Sequence, residues 1–173
     1  MNIKTLKILL ADDDRDDCTF FKDALDDLQL LTSLTVVHDG EQLMQILTNE
    51  NNELPQILFL DINMPRKNGF ECLSEIKQLE TLKDLPVIIF STSLEQEVVN
   101  LLYDNGAKYF IRKPPDFALF KEIILHTLKL ILQQNNIQPS REEFVLRTAD
   151  SFIFNPAPIG IKNSIILQRF KTT

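Results

Sequence analysis

The sequence predicts an α/β fold: a doubly wound, five-stranded parallel sheet with helices on both faces and a short C-terminal extension. Three observations carry that expectation. Apolar stretches of strand length alternate with helically spaced apolar residues five times along the chain. The strand stretches are apolar throughout, as strands buried on both faces must be, and such burial implies a parallel sheet between helical layers. Polar residues capable of chemistry stand just after the strands, where open α/β sheets place their ligands.

The first strand is Ile8-Leu9-Leu10-Ala11, and Cys18, Phe21, Leu25 and Leu28 give the following helix one apolar face. Leu34 to Val37 forms the second strand, and Leu43, Met44, Ile46 and Leu47 mark the second helix. Ile57 to Leu60, preceded by Pro55, is the third strand, with Phe70, Leu73 and Ile76 as the next helical stripe. Val87 to Phe90 is the fourth strand. Ser93 with Gln96 three residues on predicts a capping box for its helix, and Gly106 a left-handed C-terminal cap. Tyr109 to Arg112 is the fifth strand. Asp116 caps a last helix that aligns Phe117, Phe120, Ile124 and Leu128. From Gln133 the chain turns polar. Beyond lie three short apolar segments, Phe144-Val145-Leu146, Phe152-Ile153-Phe154 and Ile165-Ile166-Leu167, which read as short strands or docking segments.

Composition narrows the function. Of 173 residues, 44% are hydrophobic and 25% charged, which is ordinary for a folded domain. No run approaches the roughly 18 apolar residues of a membrane helix, and the N-terminus lacks the pattern of a signal peptide, so a cytoplasmic protein with no membrane partner is expected. The net charge of −7 argues against a sequence-independent grip on nucleic acid. Residues 1–136 hold 13 basic and 22 acidic side chains, against 5 and 3 in residues 137–173, so the acidic excess is confined to the body. Cys18 and Cys72 are isolated, which excludes a disulfide framework or zinc cluster and makes both small buried hydrophobes.

The residues just past the strands carry the chemistry. The first strand is followed by Asp12 and Asp13, the third by Asp61, the fourth by Ser91 and the fifth by Lys113. Parallel strands bring all five to one rim. Taken singly, an acidic run is a solvated helix cap and a lysine before proline is surface; together, in this order, they form a site. Carboxylates crowded to 4 Å repel by about 4 kcal/mol per pair at an effective dielectric near 20, so the cluster wants a divalent cation, and all-oxygen ligands suit Mg²⁺. An aspartate beside such a cation can attack a phosphoryl donor, while the cation and a lysine neutralise the transferred oxygens and a serine hydroxyl donates to them.

The runs Ile8-Leu9-Leu10-Ala11-Asp12-Asp13, Leu58-Phe59-Leu60-Asp61-Ile62-Asn63-Met64-Pro65 with Gly69, Leu85 to Thr92, and Gly106 to Pro114 resemble the receiver domains of bacterial two-component response regulators, above all stand-alone ones of the chemotaxis-protein type. The resemblance covers roughly residues 5–132. It implies the flavodoxin-like receiver fold over residues 1–136, with Asp61 as phosphoacceptor and a histidine kinase or phosphotransfer protein as donor. It further implies Mg²⁺ held by Asp13, Asp61 and the Asn63 backbone carbonyl, with Asp12 acting through a metal-bound water. Lys113 would pair with the phosphoryl group and be joined to Pro114 by a cis bond. Ser91 would be the switch hydroxyl and Phe110 the switch aromatic, with Tyr109 facing the opposite way. Ser91 departs from the more usual Thr, and Phe110 lacks a phenol.

Other functions fit less well. A haloacid-dehalogenase-type phosphatase needs a second acid two residues after its aspartate, where this chain has Asn63, so no turnover enzyme is expected. A pseudo-receiver would have lost the aspartate, the acidic pair or the lysine. No Gly-x-x-x-x-Gly-Lys loop is present. The 37 residues from 137 to 173 are too few for a DNA-binding effector domain with its own core. They are expected to pack on the body through Phe144, Phe152 or Phe154, to extend an edge strand, or to pair two chains, and the output is a protein target or a homodimer.

Overall fold

A computed structural model describes residues 5–28, 30–92, 95–133 and 137–147. The elements run β1 (Leu6–Ala11), α1 (Arg15–Asp27), β2 (Thr32–Val37), α2 (Gly40–Thr48), β3 (Ile57–Leu60), α3 (Gly69–Gln78), β4 (Val87–Ser91), α4 (Gln96–Asp104), β5 (Tyr109–Arg112), α5 (Phe117–Gln133), α6 (Arg141–Phe144) and β6 (Val145–Leu146). The strands pair in the order β2-β1-β3-β4-β5-β6, and every pairing is parallel.

Two apolar cores lie on the two sides of this sheet. Phe21, Phe59, Phe90 and Phe120 pack edge to face between the sheet and the α1/α5 layer. Leu9, Leu58, Leu60, Ile89 and Phe110 face the α2, α3 and α4 layer, joined by Leu43, Leu73 and Leu102. Adjacent strand residues thus enter opposite cores. Tyr109 and Phe110 do so, as the sequence reading requires. Strand order reverses between β1 and β3, and the crevice at such a reversal is where this fold class binds ligands.

Local signals set most helix ends. Asp14 caps α1 by accepting from the backbone N–H groups of Asp16 and Asp17. Asn68 and Glu71 form a reciprocal capping box at α3. Gly106, at φ 83°, ends α4 as its position predicts, and Asp116 accepts from the N–H of Leu119 at the start of α5. The start of α4 differs from expectation. The helix begins at Gln96, with Glu95 as N-cap and no side-chain cap bond. Ser93 itself lies outside the described residues.

The sheet has six strands where the five apolar runs of residues 1–136 predict five. After α5 the chain returns over the β5 edge, and Val145 and Leu146 pair with Phe110 and Ile111. One extra pairing covers backbone groups that β5 would otherwise present as an open edge. Phe144, the residue before, is 1% exposed and packs its ring 5.2 Å from Tyr103 of α4 and 6.5 Å from Phe110. Polar contacts fasten the same segment. The Tyr103 hydroxyl donates to the Pro139 carbonyl and the Gln138 amide to the Tyr103 carbonyl. The Lys108 ammonium donates to the Ile137 carbonyl, and Arg141 pairs with Asp104 while stacking on Tyr103. The expected docking through Phe144 and the edge-strand extension are both present. Phe152 and Phe154 lie outside the described residues.

Candidate functional site

The rim is assembled by register. Ala11 of β1 lies opposite Leu60 of β3, so the next residues, Asp12 and Asp61, emerge side by side; the Asp61 N–H donates to the Ala11 carbonyl at 2.9 Å. Asp12, Asp13 and Asp61 each offer a carboxylate oxygen, and these oxygens lie within 4.8 Å of one another. Asp12 and Asp61 are buried, and Asp13 is exposed. On the other side Ser91 of β4 lies opposite Arg112 of β5, and the Lys113 N–H donates to the Ser91 carbonyl at 2.8 Å. Lys113 is thereby aimed back across the rim.

Each carboxylate is individually held. Asp12 Oδ1 accepts from the Asp14 N–H at 3.1 Å, and Asp12 Oδ2 accepts from Lys113 Nζ at 2.7 Å. The Asp12 carbonyl lies 2.9 Å from His38 Nδ1 and accepts from the Cys18 thiol. Asp61 Oδ2 accepts from the Asn63 N–H at 2.8 Å, so the residue expected to present its carbonyl to a cation also orients the carboxylate through its amide. Gly69 explains its place in the motif. A Cβ there would lie 2.1 Å from the Asp61 carbonyl oxygen, so only glycine lets the start of α3 pack directly behind Asp61.

Lys113 is the cation of the site. Its side chain is 6% exposed, and its ammonium lies 2.7 Å from Asp12, 2.8 Å from Asp17 and 3.4 Å from Asp61. Burial opposes the charge, yet hydrogen bonds to Asp12 and Asp17 outweigh it and hold the lysine above its ordinary range. Burial dominates for the carboxylates. It pushes Asp12 up to about 6 against the lowering influence of Lys113, and it raises Asp61 in the same sense. Two buried acids, Asp12 and Asp61, that resist ionisation beside an ammonium leave the rim able to accept more positive charge. Both thiols are pushed up by burial, Cys18 to about 12 and Cys72 to about 11, and are inert as nucleophiles.

The sequence-derived residues Asp12, Asp13, Asp61, Asn63, Ser91 and Lys113 therefore meet at one rim. Phe110 sits deeper, fully buried in the α4-side core beside Phe144. One expectation is corrected: the Lys113–Pro114 bond is trans, since no cis peptide occurs among the described residues. The backbone bond from Lys113 N–H to Ser91 already directs the lysine inward with that geometry. Two participants escaped sequence reading. Asp17 reaches Lys113 from the first turn of α1, where it looks like one more helix-start acid. His38 sits after β2 and offered no signal beyond that position.

A doubly wound sheet with an acidic, lysine-bearing rim at its reversal point defines a receiver-type phosphotransfer domain. The chain belongs to the response regulator receiver domain family, whose model matches residues 8–125, and so to two-component signalling. It is 31% identical over 121 residues to the response regulator Rcp1 of Synechocystis sp., a match covering 67% of this chain and 82% of the relative. Among solved structures, it is similar to the phosphorylated cyanobacterial phytochrome response regulator RcpA, with TM-score 0.71 and 29% identity, covering 79% of this chain and 100% of that one. The Mn²⁺-bound form of Rcp1 aligns with TM-score 0.69 and 27% identity over 78% of this chain and 99% of that one.

Proposed function

We propose that this receiver takes a phosphoryl group onto Asp61 from a histidine kinase or phosphotransfer protein, with Mg²⁺, and answers by changing a protein-binding face. The observation that carries this reading is the convergence of three carboxylates and one buried ammonium on the rim. The donor set fits a hard divalent cation: it is all oxygen, and its ligand atoms span no more than 4.8 Å. Asp12, Asp13, Asp61 and the Asn63 carbonyl would hold Mg²⁺, which supplies charge neutralisation for the transferred oxygens. That Rcp1 has a Mn²⁺-bound form supports a divalent ion as the ligand.

The chain's own residues do the rest. A carboxylate oxygen of Asp61 forms the new P–O bond as the donor's bond to phosphorus breaks, and the electron pair leaves with the donor. The Asn63 N–H fixes the carboxylate during attack. Lys113 stands 3.4 Å from Asp61 Oδ1 and stabilises charge on the transferred group. Ser91 is the hydroxyl that responds to it, and Phe110 transmits the response towards α4 and the C-terminal segment. The chemistry ends at the acyl phosphate: Asn63 in place of a second acid leaves the protein a switch and not a turnover enzyme. The output is a downstream protein target or a homodimer, with no nucleic-acid or membrane partner, in the cytoplasm; no helix among the described residues is long and apolar enough to cross a membrane.

The cation is tested by melting. Ligand that binds only the native state adds RT ln(1 + [L]/Kd) to stability, so at a hundredfold excess over Kd, Mg²⁺ is expected to add about 2.7 kcal/mol to the wild type and far less to Asp13→Ala. No rise in the wild type, or an equal rise in the variant, contradicts the assignment.

A further inference from the structure

We infer that Asp17 is a positioning residue that holds the Lys113 ammonium on the α1 side of the rim and thereby restrains phosphoryl uptake at Asp61. The inference rests on the function proposed above and adds a regulator of the same site. An ammonium has three donors. Two of the three neighbouring carboxylates take short contacts, Asp12 at 2.7 Å and Asp17 at 2.8 Å, while Asp61 stands off at 3.4 Å. Lys113 is almost wholly enclosed and cannot turn to water. To close from 3.4 Å onto a phosphoryl oxygen at Asp61, the ammonium must move off the α1 side and lengthen its contact with Asp12 or Asp17.

Asp17 is the partner that yields. The Asp12 side chain is 1% exposed and further held by the Asp14 N–H, so losing its cation would strand a buried charge. The Asp17 side chain is 24% exposed, and water can take over its carboxylate. Its place is nevertheless built. Asp14 caps α1 by accepting from the Asp17 N–H at 3.2 Å, which sets the first turn so that the Asp17 carboxylate reaches across to the β5–α5 loop. Asp17 is not among the three acids clustered for a cation. Its charge acts on Lys113, and it offsets part of the positive potential that an incoming phosphoryl group would meet.

Asp17→Asn keeps the shape and an acceptor oxygen while removing the charge. Titration of the full chain with beryllofluoride in saturating Mg²⁺ serves as the phosphoryl probe. Because a charge-assisted hydrogen bond gives way to a neutral one, the variant is expected to bind the probe about three- to tenfold tighter than wild type. The gain should vanish when both proteins also carry Lys113→Ala, since the effect passes through that ammonium. Unchanged or weaker binding in Asp17→Asn overturns the inference, as does an equal gain without Lys113, which would reveal a general field effect. A wild type that takes no beryllofluoride would overturn the proposed phosphoryl site instead. The tether is then still read from ligand-free melting of the two single variants and the double variant: non-additivity supports it and additivity overturns it.

Discussion

Replacing Lys113 with alanine is expected to destabilise the metal-free protein by about 3 kcal/mol or more, because removal of one partner from a buried ionic cluster leaves uncompensated charge. Asp12 and Asp61 flank this lysine at 2.7 and 3.4 Å, and their side chains are only 1% and 7% exposed. Part of the loss is relieved by protonation, since burial already holds both carboxyls above their ordinary range. The sign follows: in ligand-free wild type, ionising Asp12 costs stability as pH rises from its unfolded value towards about 6. Without Lys113 that cost is larger. Mg²⁺ should therefore stabilise Lys113→Ala more than it stabilises the wild type, even as phosphoryl uptake is largely lost. Equal stability of the two proteins without metal would contradict the view that Lys113 is the counter-ion of the rim.

Phe144→Ala is expected to cost about 3–5 kcal/mol, the usual range for deleting a fully buried phenyl ring. The ring is 1% exposed between Tyr103 and Phe110, and the pairing of Val145 and Leu146 with β5 depends on the chain being anchored there. The variant should also become sensitive to protease within residues 137–147, as the segment lifts from the β5 edge. A change in denaturation midpoint worth less than about 0.5 kcal/mol, the level of an ordinary surface substitution, would show that the segment contributes nothing to the fold. The same contact bears on signalling. Phe110 packs against Phe144, so under the proposed switch a rotation of Phe110 would be felt in the C-terminal segment as well as in α4 and β5.

How much of this could be read from sequence depends on how local the cause is. The five strands were legible because strands buried on both faces are written as unbroken apolar runs, as in Ile57 to Leu60. The rim followed, since parallel strands force Asp12, Asp61, Ser91 and Lys113 to one end whatever the loops do. Caps at Gly106 and Asp116 were legible for the same local reason. The misses are contacts set by packing. β6 is two residues long and pairs across the whole of α5, so an edge-strand extension was legible only as one of several fates of the segment, without the edge it joins. Asp17 became a partner of Lys113 through the docking of α1 beside the β5–α5 loop, 96 residues away in sequence. Gly69 was recognisable as part of a motif, but its reason, the carbonyl of Asp61 against its Cα, required coordinates.

Phosphoryl transfer onto Asp61 is the step on which the proposed switch depends. Incubation of the purified chain with Mg²⁺ and a labelled phosphodonor, either a phosphorylated histidine kinase or a small acyl phosphate, tests it most directly. The wild type is expected to acquire an acid-stable, alkali-labile label that is absent from Asp61→Asn, while Asp13→Ala labels poorly and the folded state of each is verified by melting. Label retained in a folded Asp61→Asn protein, or a folded wild type that takes no label from either donor, would contradict the account.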